Sequence, residues 1–275
     1  MAQQPVAEGP APSADAVPQK HPSGLPFMAD EALKRGYELP LPFGVGVILT
    51  GLKDRQIDVT DLRVGVDGDP QSVSEFATLG SSSNVFNANL RFDTWILPFL
   101  NVYAIIGYVH NESDTSIHAE IPRLGPIPGT IVLDKTVDTS LDGVVGGLGT
   151  TVAAGYKSFF FVGDFNYVRS DMGFDDAFTA RIASLRAGWQ GKAWERSFQV
   201  WLGVGSWDTA ATATGHVDLD DGRTLKFAAD QEPHTKWIYD LGTNVMLSKR
   251  WQLIFDVGAD FNGGYTLVLG PTWRF

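Results

Sequence analysis

From Pro42 to Phe275 apolar and polar residues alternate with a period of two, the spacing of a β-strand with one apolar face. In the last segment Tyr265, Leu267, Leu269, Pro271, Trp273 and Phe275 fall on one face, and Thr266, Val268, Gly270, Thr272 and Arg274 on the other. Before it, Trp251, Leu253, Phe255, Val257, Ala259 and Phe261 alternate with Gln252, Ile254, Asp256, Gly258, Asp260 and Asn262. Trp237 to Leu247 and Phe159 to Tyr167 repeat the pattern. Gly, Asp, Asn and Ser clusters separate the segments, as turns require. The pattern predicts about ten strands, with eight or twelve as alternatives. They fall near residues 42–60, 84–97, 101–118, 131–155, 158–171, 177–190, 196–213, 235–247, 251–261 and 265–275.

The character of the two faces selects the architecture. One carries large aromatics along whole strands, and the other carries Asp, Asn, Gln, Arg and Gly. A soluble antiparallel sandwich also alternates, but its polar face meets water and favours Lys, Glu and Thr. Small and short polar residues opposite outward aromatics fit a transmembrane barrel, whose lumen is narrow. The predicted fold is therefore all-β, an antiparallel up-and-down transmembrane β-barrel over residues 42–275. Connections are short at 98–100, 156–157, 191–195 and 248–250, and mostly longer at 61–83, 119–130, 172–176 and 214–234. That asymmetry is the membrane-barrel pattern, and an even strand count places both ends on the short-turn side. Asn262-Gly263-Gly264 is the exception, a tight turn on the long-loop side.

Amphipathic rings gather where two interfacial girdles belong. Trp95, Trp189, Trp194, Trp251 and Trp273 fall near the short turns, and Trp207, Trp237, Tyr167 and Tyr265 near the long loops. Lys157, Lys192, Arg196, Lys249 and Arg250 collect at the short turns, whereas the long loops are acidic (Asp67, Asp69, Asp175, Asp176, Asp218, Asp220, Asp221). The longest apolar stretch, Trp95 to Val109, contains Pro98 and Asn101 and is too short for a spanning helix.

Composition adds exclusions. The formal charge is −11, which argues against a nucleic-acid partner, and the absence of Cys removes disulfides, thiolate metal sites and a cysteine nucleophile. Charged residues are only 19 % and aromatics 12 % of the chain. Residues 1–41 form a separate segment. Its first 25 residues are rich in Pro and Ala and carry too little apolar surface to fold, so a disordered tail is expected. The residues after Met1 read as a processed N-terminus with no apolar signal core. MADEALKRG (28–36) has the length of a short helix stopped by Gly36, read as a connector or as a small plug at one mouth.

These features together resemble the Gram-negative outer-membrane β-barrel proteins. The sharpest is the final strand LVLGPTWRF, in which Tyr265, Leu267, Leu269, Trp273 and the terminal Phe275 resemble the assembly signal of that class. The resemblance implies an outer-membrane location with periplasmic termini, contact with lipid and lipopolysaccharide, and the barrel-assembly machinery as a partner in biogenesis. A monomer is expected. Pro271 departs from the pattern, since it lacks an N–H and predicts a local ladder defect.

On this register the lumen receives Arg91, Asp93, Asp164, Asn166, Arg186, Gln199, Asp240, Asn244, Gln252, Asp256, Asp260 and Arg274. Either they pair into a core that blocks flow, or they line a narrow polar conduit. Asp240 and Asp256 on neighbouring strands form a carboxylate pair or are matched with Arg186 and Arg274. The run GVVGGLG (143–149) lacks the Lys-Ser/Thr of a phosphate loop and is read as lumen space or curvature. His110 with Asp114, and His216 with Asp218, are the catalytic candidates of an omptin-like rim site, but neither reproduces that motif; a Ser–His lipase arrangement would need a lipid-facing Ser near His, for which Ser113 and Ser116 are the candidates. No catalytic residue is assigned. DLDDG (218–222) offers Asp218, Asp220 and Asp221 as weak ligands for a hard cation and otherwise reads as an acidic hairpin tip. No cofactor is expected. The functional expectation is a narrow channel for passive passage of small polar or apolar molecules. Its rivals are a closed barrel displaying acidic loops for binding or adhesion, and a rim hydrolase.

Overall fold

The computed structural model describes residues 4–5, 23–66, 70–72, 77–122, 130–173, 178–193, 196–209, 211–218 and 224–275. In chain order the strands are β1 (Phe43–Val66), β2 (Ala77–Leu97), β3 (Leu100–Pro122), β4 (Thr130–Tyr156), β5 (Phe159–Asp171) and β6 (Phe178–Ala193). They continue with β7 (Arg196–Asp208), β8 (Ala211–Asp218), β9 (Thr224–Pro233), β10 (Trp237–Met246), β11 (Trp251–Ala259) and β12 (Tyr265–Arg274). One short helix, α1 (Ala29–Lys34), precedes them. Among the described residues no helix is long and apolar enough to cross a membrane, and the strands form the body.

Strands β1 to β7 and β10 to β12 pair antiparallel with their neighbours, and β12 returns to β1, closing a barrel of ten strands. Closure gives every strand two partners and removes the edges that an open sheet leaves unpaired. The seam is held at its turn end by reciprocal backbone hydrogen bonds between Phe43 and Phe275, whose rings stack at 5.8 Å. Pairing of β12 with β1 stops at Leu269–Leu49 and resumes at Thr272–Gly46, so the ladder is interrupted beside Pro271.

Burial is inverted relative to a water-soluble domain. Leu202 is 70 % exposed and Leu148 68 %, whereas Asn101 and Asn244 are 1 % exposed and Gln252 2 %. Outward positions of successive strands carry Phe92, Ile106, Leu148, Phe161, Leu185, Leu202, Leu241, Phe255 and Leu267, all exposed. An apolar belt on this scale has hydrocarbon as its natural solvent, because water contact at every one of these side chains opposes folding. Trp189, Trp251 and Phe275 border the belt at the short turns, and Tyr108, Tyr167, Trp237, Tyr239 and Tyr265 border it at the other end.

Two aromatics expected in the girdles face inward instead. Trp95 follows Arg91 and Asp93 on one face of β2 and is 1 % exposed, and Trp207 follows Gln199 and Trp201 into the lumen of β7. Their parity on the strand overrides their nearness to a turn. The long-loop side also departs from expectation. The strands β1 to β4 extend beyond their predicted ends, and the 214–234 region is not a loop. Its residues form the hairpin β8–β9, and β9 pairs with the outer half of β1. Arg63 clamps it, donating to Asp230 at 2.8 Å, and Asp230 also accepts from Thr212. At Asp54, with φ of 56°, β1 bulges and its inward parity shifts from Leu52 to Arg55.

Leu202 tests the belt. Leu202→Arg is expected to cost about 2–4 kcal/mol in a bilayer, measured by reversible urea unfolding in lipid vesicles. In water an exposed position would change by about 0.5 kcal/mol or less.

Candidate functional site

The lumen encloses a cavity of about 450 Å³. Its upper wall, toward the long-loop end, is mixed: Ile48, Leu52, Val85, Ile105, Val109, Val145, Ile182, Ile238 and Val268 line it together with Thr50, Arg55, Ser81, Ser83, Asn87, Asn89 and Asn111. Below them, toward the short turns, charged and amide side chains form a packed floor. Alternation alone predicts a polar lumen throughout. It misses the apolar members of the upper wall because β-branched residues there stand on both faces of the strands.

Two ionic groups make up the floor. In the first, Arg274 donates to Asp93 at 2.8 Å, and Arg91 lies 4.0 Å from the same carboxylate. Asn101 joins them, accepting from Arg91 at 3.1 Å and donating to Asp93 at 2.8 Å. The Arg91 guanidinium sits 3.7 Å from the centre of the Tyr103 ring, and the Tyr103 hydroxyl donates to Asp164 at 2.8 Å. Thr151 and Asn166 also donate to Asp164. The group thus holds two arginines and two aspartates. Tyr103 fits because Gly149 faces it on β4: a Cβ there would lie 2.3 Å from the ring. That gives the glycine run at 143–149 its role, lumen space for a neighbouring aromatic.

In the second group a single arginine serves two carboxylates. Arg186 donates to Asp240 at 3.2 Å and lies 3.9 Å from Asp256. The Trp201 indole N–H lies 3.1 Å from Asp240 and 2.9 Å from Asp256. Gly242 on β10 is the notch that admits them: a Cβ there would lie 2.3 Å from Trp201 and 2.6 Å from an Asp256 oxygen. Beneath, Gln199 donates to Gln190 and accepts from Asn244 at 3.0 Å. An apolar cluster of Trp95, Ala153, Phe160 and Trp201 packs through the floor, with Val162 and Ile254 against it.

Arg91, Asp93, Asp164, Asn166, Arg186, Asp240, Asn244, Asp256 and Arg274 all border the cavity, with Gln199 and Gln252. Arg274 partners Asp93 rather than Asp240 or Asp256, and it also donates to the Leu41 carbonyl at 3.1 Å. Asp260 has a different task. Its carboxylate accepts from the backbone N–H groups of Asn262 and Gly264, both at 2.8 Å, and so caps the β11–β12 turn. Tyr265, Leu267, Leu269, Trp273 and Phe275 occupy the outward face of β12. Trp201 and Tyr103 are floor residues that the polar pattern does not single out. Their signal lies in parity, since Gln199 and Trp201, and Asn101 and Tyr103, share a face.

At the long-loop rim His110 meets Asp142 and Glu112, at 2.7 Å and 3.4 Å, rather than Asp114. The Tyr108 hydroxyl also donates to Asp142. The cluster faces outward, one step beyond the aromatic border. Asp142, and after it Glu112, hold the His110 imidazole above its ordinary range. Asp220 and Asp221 lie outside the described residues, as do the side chains of Asp218 and His216. Among the described residues no group of three His, Cys, Asp or Glu is placed to hold a metal.

No family model matches the chain, and no curated protein sequence matches it. Solved structures do. The chain is similar to the outer membrane protein OprG from Pseudomonas aeruginosa, with TM-score 0.40 and 14 % identity over 86 % of this chain and 100 % of that one. It is similar to the transport unit of the autotransporter AIDA-I from Escherichia coli, with TM-score 0.38 and 9 % identity over 85 % and 90 %. It is also similar to the toluene transporter TbuX from Ralstonia pickettii, with TM-score 0.32 and 10 % identity over 86 % and 90 %. These neighbours are outer-membrane β-barrel proteins, and the likeness is one of barrel architecture.

Two expectations arise from the polar contacts. Asp93→Ala leaves Arg91 and Arg274 without their shared anion and is expected to cost about 3–5 kcal/mol, read by urea unfolding. At the rim, His110 should titrate above about 6.5, the unperturbed value, and Asp142→Asn should lower it, as followed by imidazole NMR shifts. A raised folded-state value means that the contact stabilises fully below the unfolded value and fades as pH rises through the folded one.

Proposed function

We propose that the chain is a bacterial outer-membrane barrel, with both termini periplasmic, that admits small apolar or amphipathic molecules through its outer mouth for passive passage. The observation that carries this reading is a cavity of about 450 Å³ in which a band of Val, Ile and Leu side chains interrupts the polar lining above a packed, charged floor. A water-filled pore for ions or sugars needs polar walls along its length. Here Ile48, Leu52, Val85, Ile105, Val109, Val145 and Ile238 break the polar lining and favour a ligand with an apolar part.

The turn end is closed at rest. Trp95, Phe160, Asn101, Asn244, Gln252 and Arg274 are all buried there. The N-terminal segment adds to the closure: the Phe27 N–H donates to the Ile96 carbonyl at 2.8 Å, and Trp95 donates its backbone N–H to Pro42. Pro42, Ala29 and Ala32 are buried as well. Passage inward then depends on displacement of hydrogen-bonded side chains and of residues 23–41, and the resting barrel is a poor ion conductor. In this setting lipid and lipopolysaccharide surround the belt, and the barrel-assembly machinery engages β12 during biogenesis.

Filling the cavity tests the reading. Val145 is inward and 5 % exposed, and Val145→Trp places an indole in the open volume. Cells carrying this variant at wild-type outer-membrane levels should take up the apolar dye 1-N-phenylnaphthylamine no faster than cells lacking the protein. Uptake equal to that of the wild type would overturn the proposal. Planar-bilayer recordings of the wild type should show no steady ion current.

A further inference from the structure

The strands end at different heights on the long-loop side, and this leaves β4 with a bare edge. On one side β4 pairs with β3 from Thr130 to Val152. On the other, β5 pairs with it only from Tyr156 to Val144, which meets Asp171. Gly143 still packs on the end of β5, since a Cβ there would lie 2.3 Å from the Asp171 carbonyl oxygen. Beyond it, among the described residues, no strand pairs with the second side of 130–142. In an antiparallel ladder every second residue turns its N–H and C=O away from the existing partner. Such a row is a template for one more strand, and proteins commonly block it with a bulge, a proline or charge. The register of this segment against β3 is unbroken, and it contains no Pro. Charge is its remaining guard, and that guard is mostly of one sign: Asp134, Asp138 and Asp142 against Lys135.

The surface beside the edge has the same sign. Asp138, Ser140 and Asp142 are exposed on β4, and Glu112 and Asp114 are exposed on β3. Asp114 stands directly opposite Asp138. Like charges so placed repel, and among the described residues neither carboxylate has an ion pair. His110 is committed to Asp142 and Glu112. Arg169 on β5 registers with Gly146, on the belt side of the edge. The whole long-loop end shares this character. Residues 53–83, 108–142, 169–181, 208–236 and 259–265 hold 22 of the 32 Asp and Glu but only 10 of the 21 Lys and Arg. The net negative charge of the chain therefore lies at this end.

Charge also decides between occupants. A second copy of β4, paired antiparallel about Ser140, sets Asp138 of each copy opposite Asp142 of the other, and the edge repels itself. A basic strand turns the same two positions into cross-strand ion pairs.

We propose that the outer edge of β4 takes up an extended basic peptide as an added strand. Main-chain hydrogen bonds along 130–142 hold it, and alternate side chains select it. Residues directly opposite on paired strands share a face. Lys or Arg four positions apart in the peptide therefore meet Asp138 and Asp142, and the residue midway between them meets Ser140. The partner binds outside the barrel, so its binding is independent of what the lumen admits.

The test is fluorescence anisotropy of labelled, end-capped heptapeptides titrated with the full chain in an uncharged maltoside detergent, at pH 7 and low salt. The first is Lys-Thr-Val-Thr-Lys-Thr-Val. The second has Glu for both Lys, and the third keeps both Lys but has Pro at its third and fourth positions, which removes an N–H on either side of the strand. The Lys peptide should bind about tenfold tighter than each of the others, and it should slow amide hydrogen exchange within 130–142. Asp138→Asn combined with Asp142→Asn should bring the Lys peptide close to the Glu peptide. Should that variant not fold, Asp138→Asn alone, at an exposed side chain, should give part of the loss. Equal binding of the Lys and Pro peptides would reduce the effect to charge attraction and overturn the proposal. So would binding of none of them, unchanged exchange within 130–142, or a dimer in detergent whose cross-links join β4 to β4, which would assign the edge to a second copy.

Discussion

Closure of the backbone ladder is the constraint on which the rest of this structure depends. Once β12 pairs with β1, no backbone edge of the barrel needs water, and the outer surface is free to be apolar. The same closure sends every second side chain into a narrow space. Polar residues that an open sheet would turn to solvent have only one another as partners. The inverted burial results directly, with leucines outside and asparagines and glutamines inside. Each inward charge therefore demands a partner, because a lone ion in such a lumen costs several kcal/mol even after relaxation.

Packing decides which partners are reached. Ten strands leave little more room than their side chains occupy, so large inward residues require small ones opposite. Tyr103 lies against Gly149, and Trp201 against Gly242. These notches let an aromatic ring lie flat along the wall and deliver its one polar atom to a carboxylate on another strand. Tyr103 thereby links β3 to Asp164 on β5, and Trp201 links β7 to β10 and β11. The floor is thus a cross-braced layer in which glycine spacing on one strand fixes the hydrogen bonds of the next.

The barrel itself is legible in the chain because two-residue periodicity and loop asymmetry are local signals. The ten strands and the inward parity of Arg91, Asp93, Arg186, Asp240, Asp256 and Arg274 can be read strand by strand. Partner choice cannot. That Arg274 reaches Asp93 across the seam depends on which strands become neighbours on closure. Nearness to turns points Trp95 and Trp207 to the girdles, although parity with Asp93 and Gln199 places them inside. The hairpin β8–β9 escapes notice because its partner is the outer half of β1, far earlier in the chain. At Asp54 the period is broken by a bulge, so alternation counted from Leu52 assigns Arg55 to the wrong face. Ile48, Val85 and Ile105 hide the apolar wall, since strands apolar on both faces give no alternation to read.

A partly apolar wall above a charged floor sets two opposed demands on any molecule that enters. The wall rewards loss of water from an apolar body, by about 25 cal/mol per Å². The floor resists approach by a group that cannot replace the bonds it disturbs, because a buried donor or acceptor left unpaired costs about 1–3 kcal/mol. A purely apolar solute gains from the apolar part of the wall and must displace floor contacts without replacing them. A strongly polar solute meets little that holds it at the mouth. Under the proposed function, a molecule with both characters meets the smallest step in free energy between the zones, since its polar part can replace floor contacts as its body leaves Val145 and Ile105. Under the same reading the floor is a barrier to ions and water and, for a solute able to trade hydrogen bonds with it, a sequence of replaceable contacts. On the proposed function, selectivity would come from the match between solute polarity and the order of the two zones, with lumen width setting only the upper limit on size.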